Sequence, residues 1–164
     1  MPERLHSTSL VAAPLDGTGT GPDQLTVTAW WDPALAVRGA DPRGAYAERF
    51  WLGIIGPSTL LLLRRFARGL EEHPNGFRVS VPDTARALGL GPGLGRNAPL
   101  SRTVDRACTF GLARRRDVDR LEVRTHLPTL TARQVGQLPE ALRVAHDQWQ
   151  RSQAAGGSGG PQAA

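Results

Sequence analysis

Apolar and polar side chains alternate from Leu25 to Trp31. Leu25, Val27, Ala29 and Trp31 fall on one face, and Thr26, Thr28 and Trp30 on the other. That period of two predicts a half-buried strand over 25–31, which Asp32-Pro33 ends. The period then lengthens. Tyr46, Phe50, Trp51 and Ile54 recur at helical spacing, and Asp41-Pro42 is placed to open the helix, Asp41 as N-cap and Pro42 in the first turn. Gly56-Pro57 stops that helix. Ser58 is placed to cap the next, whose core face is Leu62, Leu63, Phe66, Ala67 and Leu70. His73-Pro74-Asn75-Gly76 follows as a turn. The pattern predicts helices over 42–55 and 58–72.

From Phe77 onward the pattern changes every few residues. Phe77, Val79 and Val81 alternate with Arg78 and Ser80, a short strand over 77–81. Ser80-Val81-Pro82-Asp83 has the form of a capping box and opens a short helix over 83–89, with Val81, Ala85 and Leu88 on one face. Glycines at 89, 91, 93 and 95 come next. A phosphate-binding loop needs a strand before it and a Gly-Lys-Ser/Thr ending; a helix precedes here and that ending is absent, so the segment reads as an extended turn. Asn97 is expected to cap a longer helix over 98–110, with Pro99 in its first turn and Leu100, Val104, Ala107 and Cys108 as its buried stripe. A hairpin with arms 112–116 and 120–127 follows. Leu121, Val123, Thr125 and Leu127 face the core; Arg120, Glu122, Arg124 and His126 face out. Thr131 is placed to cap a short helical turn, and Pro139-Glu140 opens a final helix over 139–150; across the two, Val135, Leu138, Leu142, Ala145 and Trp149 offer an apolar stripe for the first helices or for a second copy of the chain.

Charge singles out the same stretch. Residues 77–127 hold ten Arg against five Asp or Glu, a surplus equal to the whole chain's net charge of +5. A neutral protein with one basic module is the electrostatic footprint of a nucleic-acid binder. The exposed face of the longer helix shows Arg102, Asp105, Arg106 and Thr109, with Arg96, Asn97 and Ser101 around its start. Asn and Arg are the side chains that pair bidentately with adenine and guanine from a helix in the major groove. The competing reading is a solvated face on which Arg102, Asp105 and Arg106 pair with one another. Arg114, Arg115, Arg116, Arg120 and Arg124 line the hairpin, where adjacent like charges favour an acidic partner. The candidate DNA-binding set is therefore Arg96, Asn97, Ser101, Arg102, Arg106, Arg114, Arg115, Arg116, Arg120 and Arg124.

The remaining chemistry is sparse. All 20 basic residues are Arg, which composition alone explains. The single Cys108 excludes an internal disulfide and a cysteine-rich zinc site. The histidines, at 6, 73, 126 and 146, have no ligand partner at metal-binding spacing, and no nucleophile–base pattern stands out. No catalytic residue, metal or cofactor is expected. No apolar stretch has the length of a membrane span or an export core, so a cytoplasmic, nucleoid-associated location without a membrane partner is expected. Residues 1–23 and 151–164 are poor in apolar side chains and read as a disordered N-terminal tail and a flexible C-terminal tail around one domain, 24–150.

The order strand, short helix, longer helix, basic hairpin is that of a winged helix-turn-helix. The fold class expected is α+β, a winged helix-turn-helix with an extra N-terminal strand and helices and a C-terminal helix. Val81–Leu90 resembles the second helix of many bacterial helix-turn-helix proteins, and Phe110-Gly111-Leu112-Ala113-Arg114 is similar to the recognition-helix exit of MarR-type proteins. The longer pattern, from Ala29-Trp30-Trp31-Asp32-Pro33 through Arg49–Ser58 to Arg114, resembles a family of uncharacterised actinobacterial winged helix-turn-helix proteins. The resemblance covers residues 25–150 and implies binding to double-stranded DNA, as in a transcriptional regulator. The long final helix that makes the MarR-type dimer is missing, which leaves the form of any homodimer open. The rival expectation is a protein-interaction adaptor of a transcription or replication complex, with Trp30, Trp31 and Trp51 as its contact surface.

Overall fold

The computed structural model describes residues 13–15 and 23–156. It is an α+β fold built on one mixed sheet of five strands, ordered β1-β3-β2-β5-β4. The strands are β1 (Ala13–Pro14), β2 (Gln24–Trp30), β3 (Phe77–Ser80), β4 (Ala113–Asp117) and β5 (Arg120–Arg124). β2 occupies the centre. It runs antiparallel to β3, with Leu25 opposite Val79, and parallel to β5, with Val27 opposite Leu121. The remaining pairs are antiparallel.

The period of two decides which face of this sheet is covered. Leu25, Val27, Phe77, Val79, Ala113, Leu121 and Val123 are all buried on one side. Helix α3 (Pro57–Glu72) brings Leu62, Leu63, Phe66 and Leu70 to the same core, and α5 (Pro99–Thr109) brings Leu100, Val104 and Ala107. The chain before α3 forms α1 (Pro33–Arg38), then a π-turn (Ala47–Trp51) continuing into α2 (Leu52–Ile55). The wider turn lets Phe50 and Trp51, neighbours in sequence, both reach the interior. Trp51 satisfies its indole N–H on the Pro128 carbonyl at 2.9 Å. α4 (Val81–Ala87) precedes α5. α6 (Ala132–Val135) and α7 (Glu140–Gly156) close the chain. α7 packs on the π-turn, so the stripe Leu138, Leu142, Ala145 and Trp149 covers the first helices.

Several local expectations need correction. Asp32 ends β2 but also caps α1, accepting hydrogen bonds from the Ala34 and Leu35 amides. Asp41 does not cap the second helix. It holds a turn through the Arg43 amide, and the Arg43 guanidinium ties Asp41 to Glu71 at the far end of α3. Ser58 and Asn97 cap nothing: the N-cap positions are Gly56 and Ala98, each followed by a proline that fixes the first helical residue. Ser80 does cap α4, but the Asp83 carboxylate pairs with Arg86 instead of closing the box. β5 stops at Arg124, and Leu127 forms only an isolated bridge to Ala40. Two stretches expected to be tail are structured. β1 lies within 1–23 and pairs with β3, and α7 runs six residues past 150. The rest of both tails lies outside the described residues.

Gly69, in the last turn of α3, marks a close helix-to-sheet approach. A β-carbon there would lie 2.5 Å from Cζ of Phe77, whose ring is buried edge-on against Phe66. Glycine in a helix interior normally costs about 1 kcal/mol relative to alanine. Overpacking a tight core costs about 1–3 kcal/mol, so the steric term wins. Gly69→Ala should therefore lower stability by up to about 2 kcal/mol, the overpacking cost less the helix-propensity gain. A urea titration checks it, with the midpoint falling at constant slope; an unchanged or higher midpoint would mean the Phe77 ring moves aside.

Candidate nucleic-acid interface

Helix α5 packs through Leu100, Thr103, Val104 and Ala107, which turns Arg102, Asp105, Arg106 and Thr109 outward. Its first turn is joined to the glycine-rich loop. The Ala98 amide and the Ser101 hydroxyl both donate to the Gly95 carbonyl. Arg96, Asn97 and Arg102 are exposed around this end. No hydrogen bond or ion pair engages the guanidinium of Arg96 or Arg102 among the described residues.

The far half of the same face is already engaged. Arg106 donates to the Ile54 carbonyl at 2.8 Å and lies over the Phe110 ring, fastening α5 to the end of α2. Asp105 pairs with Arg115 of β4 rather than with Arg102 or Arg106. Thr109 bonds back to the Asp105 carbonyl. The cluster Arg102–Asp105–Arg106 does not form. A strut from helix to hairpin replaces it, and Arg106 is a packing residue.

The hairpin solves its own charge problem with one carboxylate. Arg114 and Arg116, two residues apart on β4, share the face that Glu122 occupies on β5; the pairing becomes irregular between Arg115 and Asp117. Glu122 accepts from both, from Arg114 through one oxygen and from Arg116 through the other at 3.0 Å. Burial pushes the Glu122 carboxyl up, but the hydrogen bonds from Arg116 and Arg114 outweigh it and hold its pKa below the usual value. On the same open face of the sheet, the guanidiniums of Arg124 and Arg114 lie 3.8 and 4.3 Å from the Trp30 ring centre. Arg124 also donates to Asp32 at 2.7 Å and to the Gly111 carbonyl at 2.8 Å, and its side chain is only 16% exposed. It faces away from the core, as the alternation predicts, and from there it locks the hairpin to β2 and α1. Arg120, by contrast, is exposed at the hairpin's end and has no partner among the described residues. Beside it Val118 stands 91% exposed.

The ten predicted residues therefore separate. Arg96, Asn97, Arg102 and Arg120 are open. Ser101 is half-buried and bonded to the loop. Arg115 and Arg116 are exposed but paired, while Arg106, Arg114 and Arg124 are structural. Asp32 and Glu122, which hold Arg124, Arg114 and Arg116 in place, were not singled out; the alternation that puts Glu122 opposite Arg114 was the available signal. Trp30, Trp31 and Trp51 do not form one surface. Trp51 is in the core, Trp30 is under arginine, and Trp31 is 66% exposed. Cys108 is half-buried, and burial pushes its thiol up, which favours the unreactive protonated form. Among the described residues no group of His, Cys, Asp and Glu could hold a metal, and no helix is long and apolar enough to cross a membrane.

Comparison of the chain with protein-family models, with curated proteins and with solved structures returns no match. The functional reading rests on the geometry.

Arg106→Ala should lower the thermal midpoint by several degrees, because it removes a bond to a backbone carbonyl and an aromatic contact. Its effect on nucleic-acid affinity, measured well below the midpoint, should be small. A variant with wild-type stability and lost affinity would return Arg106 to the contact surface.

Proposed function

We propose that the chain binds double-stranded DNA as a winged helix-turn-helix protein, in the manner of a transcriptional regulator. The order α3, β3, α4, α5, β4, β5 supports this reading, with α5 as the recognition helix and β4–β5 as the wing. The observation that carries it is the distribution of free charge. Seven of the ten arginines in 77–127 are engaged: Arg78 with Leu15, Arg86 with Asp83, Arg106 with Ile54, and Arg114, Arg115, Arg116 and Arg124 with carboxylates. The three without partners among the described residues, Arg96, Arg102 and Arg120, stand at the start of the recognition helix and at the end of the wing. Those are the two places where a winged helix meets DNA.

In this arrangement Arg102 and Asn97 reach base edges in a major groove. Arg96 and Arg120 hold phosphates on either side. Arg115 and Arg116 are close enough to the wing's end to exchange their carboxylate for a phosphate when duplex arrives. The Asp105–Arg115 strut sets the wing's angle to the helix. A second reading, a protein-interaction adaptor, is favoured by Trp31 and by Val37 on α1, 84% exposed. Salt separates the two. Phosphate binding weakens steeply with salt through counterion release, whereas apolar docking does not.

Arg102→Ala should cost roughly 1–3 kcal/mol on a selected duplex and little on a scrambled one, lowering the specificity ratio. Binding curves on both sequences test this. Equal loss on both makes Arg102 a phosphate contact, and no loss on either moves the reading surface elsewhere. For Arg96→Ala and Arg120→Ala the expectation is uniform weakening on all duplexes, each reducing the slope of log K against log salt by about 0.9. If wild-type binding is independent of salt between 50 and 200 mM, roughly the range over which phosphate contacts lose most affinity, the DNA reading is wrong and the adaptor stands.

A further inference from the structure

We infer that the contact between Tyr46 and His146 is a proton-operated latch: protonation of His146 releases α7 from the body of the fold while the sheet stays intact. This inference is independent of the DNA-binding reading.

The latch joins three segments through one oxygen. The Leu130 amide donates to the Tyr46 hydroxyl at 2.9 Å. With the Leu130 amide on one lone pair, we assign the hydroxyl's own proton to Nε2 of His146, also at 2.9 Å. In this assignment Nε2 is the acceptor and the ring is neutral. It is 1% exposed and walled by aromatic rings: Phe50 edge-on at 5.0 Å, Tyr46 at 5.8 Å and Trp149 at 6.0 Å. A proton added at Nε2 turns the acceptor into a donor facing an oxygen whose hydrogen has no other acceptor among the described residues, and it places a charge among apolar rings.

Few charged groups stand nearby to stabilise that ion. The π-turn offers Arg49, whose guanidinium lies over Phe50, and Glu48, which is exposed and paired with Arg64. Residues 128–131 carry no ionisable group. On α7, Arg143 is exposed, and Asp147 favours the imidazolium but is exposed and paired with Arg151. Burial outweighs Asp147 and holds the His146 pKa below its usual value. The sign follows. A base with a depressed folded pKa leaves docking at full strength above the unfolded value of about 6.5. Docking is lost as pH falls below that, by up to about tenfold in the docked-to-released ratio per pH unit until the folded pKa is reached.

Release should stay local because α7 is held by little else. Only Ala145 and His146 of the helix are buried, with Leu142 and Trp149 half-buried, and residues 150–156 are exposed. No strand pairs with it. Undocking bares Trp149 and Leu142 on the helix and Tyr46 and Phe50 on the body, an apolar surface that is covered at neutral pH.

The test is an NMR pH titration of the full chain and of His146→Gln, which keeps an acceptor for Tyr46 but does not titrate near neutrality. In the wild type the imidazole signal of His146 and the backbone signals of 140–156 should change together between about pH 6.5 and 5, the range below the ordinary histidine value. The signals of β2, β3 and β5 should stay in place. In His146→Gln, α7 should remain docked across that range. Loss of α7 at the same pH in both proteins overturns the latch. So does a wild-type His146 that titrates while α7 stays docked, a comparison that needs no variant to fold.

Discussion

Everything else in this fold depends on where β2 sits. Within the sheet no hydrogen bonds join β3 directly to β5; β2 lies between them and pairs with both. Its two ladders join the strand before α4 to the hairpin after α5. A central strand must satisfy both backbone edges and one apolar face at once, and the run Leu25 to Ala29 does so with β-branched and small residues. The helices then have a single surface to cover, and α5 is fixed relative to the hairpin because both pack on strands that β2 holds in register.

Charge is handled by the same economy of position. Four consecutive positions, Ala113 to Arg116, put three arginines on one short strand, a sequence that would repel itself in isolation. The fold disperses them. One goes to Asp105 on the helix, and two share the oxygens of Glu122. Arg124 fills the gap between the hairpin and the end of β2, where Trp30 supplies a ring and Asp32 a carboxylate. What looks in the sequence like a uniform basic stripe is a set of internal struts with a few free cations at its ends.

That difference explains what could be read in advance. Strands and helices of strong period were legible: β2, α3, α5, the hairpin arms and the buried stripe of α5 follow from spacing alone. Caps were less so, because a proline at the first helical position can fix a helix start without a side-chain cap, and Gly56-Pro57 and Ala98-Pro99 both do. α1 escaped because it buries no residue and so leaves no apolar period. The site was half legible. Residue type and helix face identified Arg102 and Arg96, but whether an arginine is free depends on partners distant in the chain. Nothing near Arg106 announces the Ile54 carbonyl, and nothing near Arg124 announces Asp32. Tyr46 and His146, a hundred residues apart, carried no signal that they would meet.

The parallel ladder between β2 and β5 has a consequence for how the chain is made. Thr26 and Arg120 are neighbours in space but more than ninety residues apart in sequence. On a ribosome adding about 5–20 residues per second, β2 emerges several seconds or more before the strand that completes it. Until then its Val27-rich edge is an open template of unpaired amides and carbonyls. The fast local units, α3 and the α4–α5 pair, can form early, but the sheet they rest on cannot close before the hairpin appears. The basic hairpin is thus the last part of the sheet to be installed, and a chain cut short of Arg120 would lack the strand that protects its own centre.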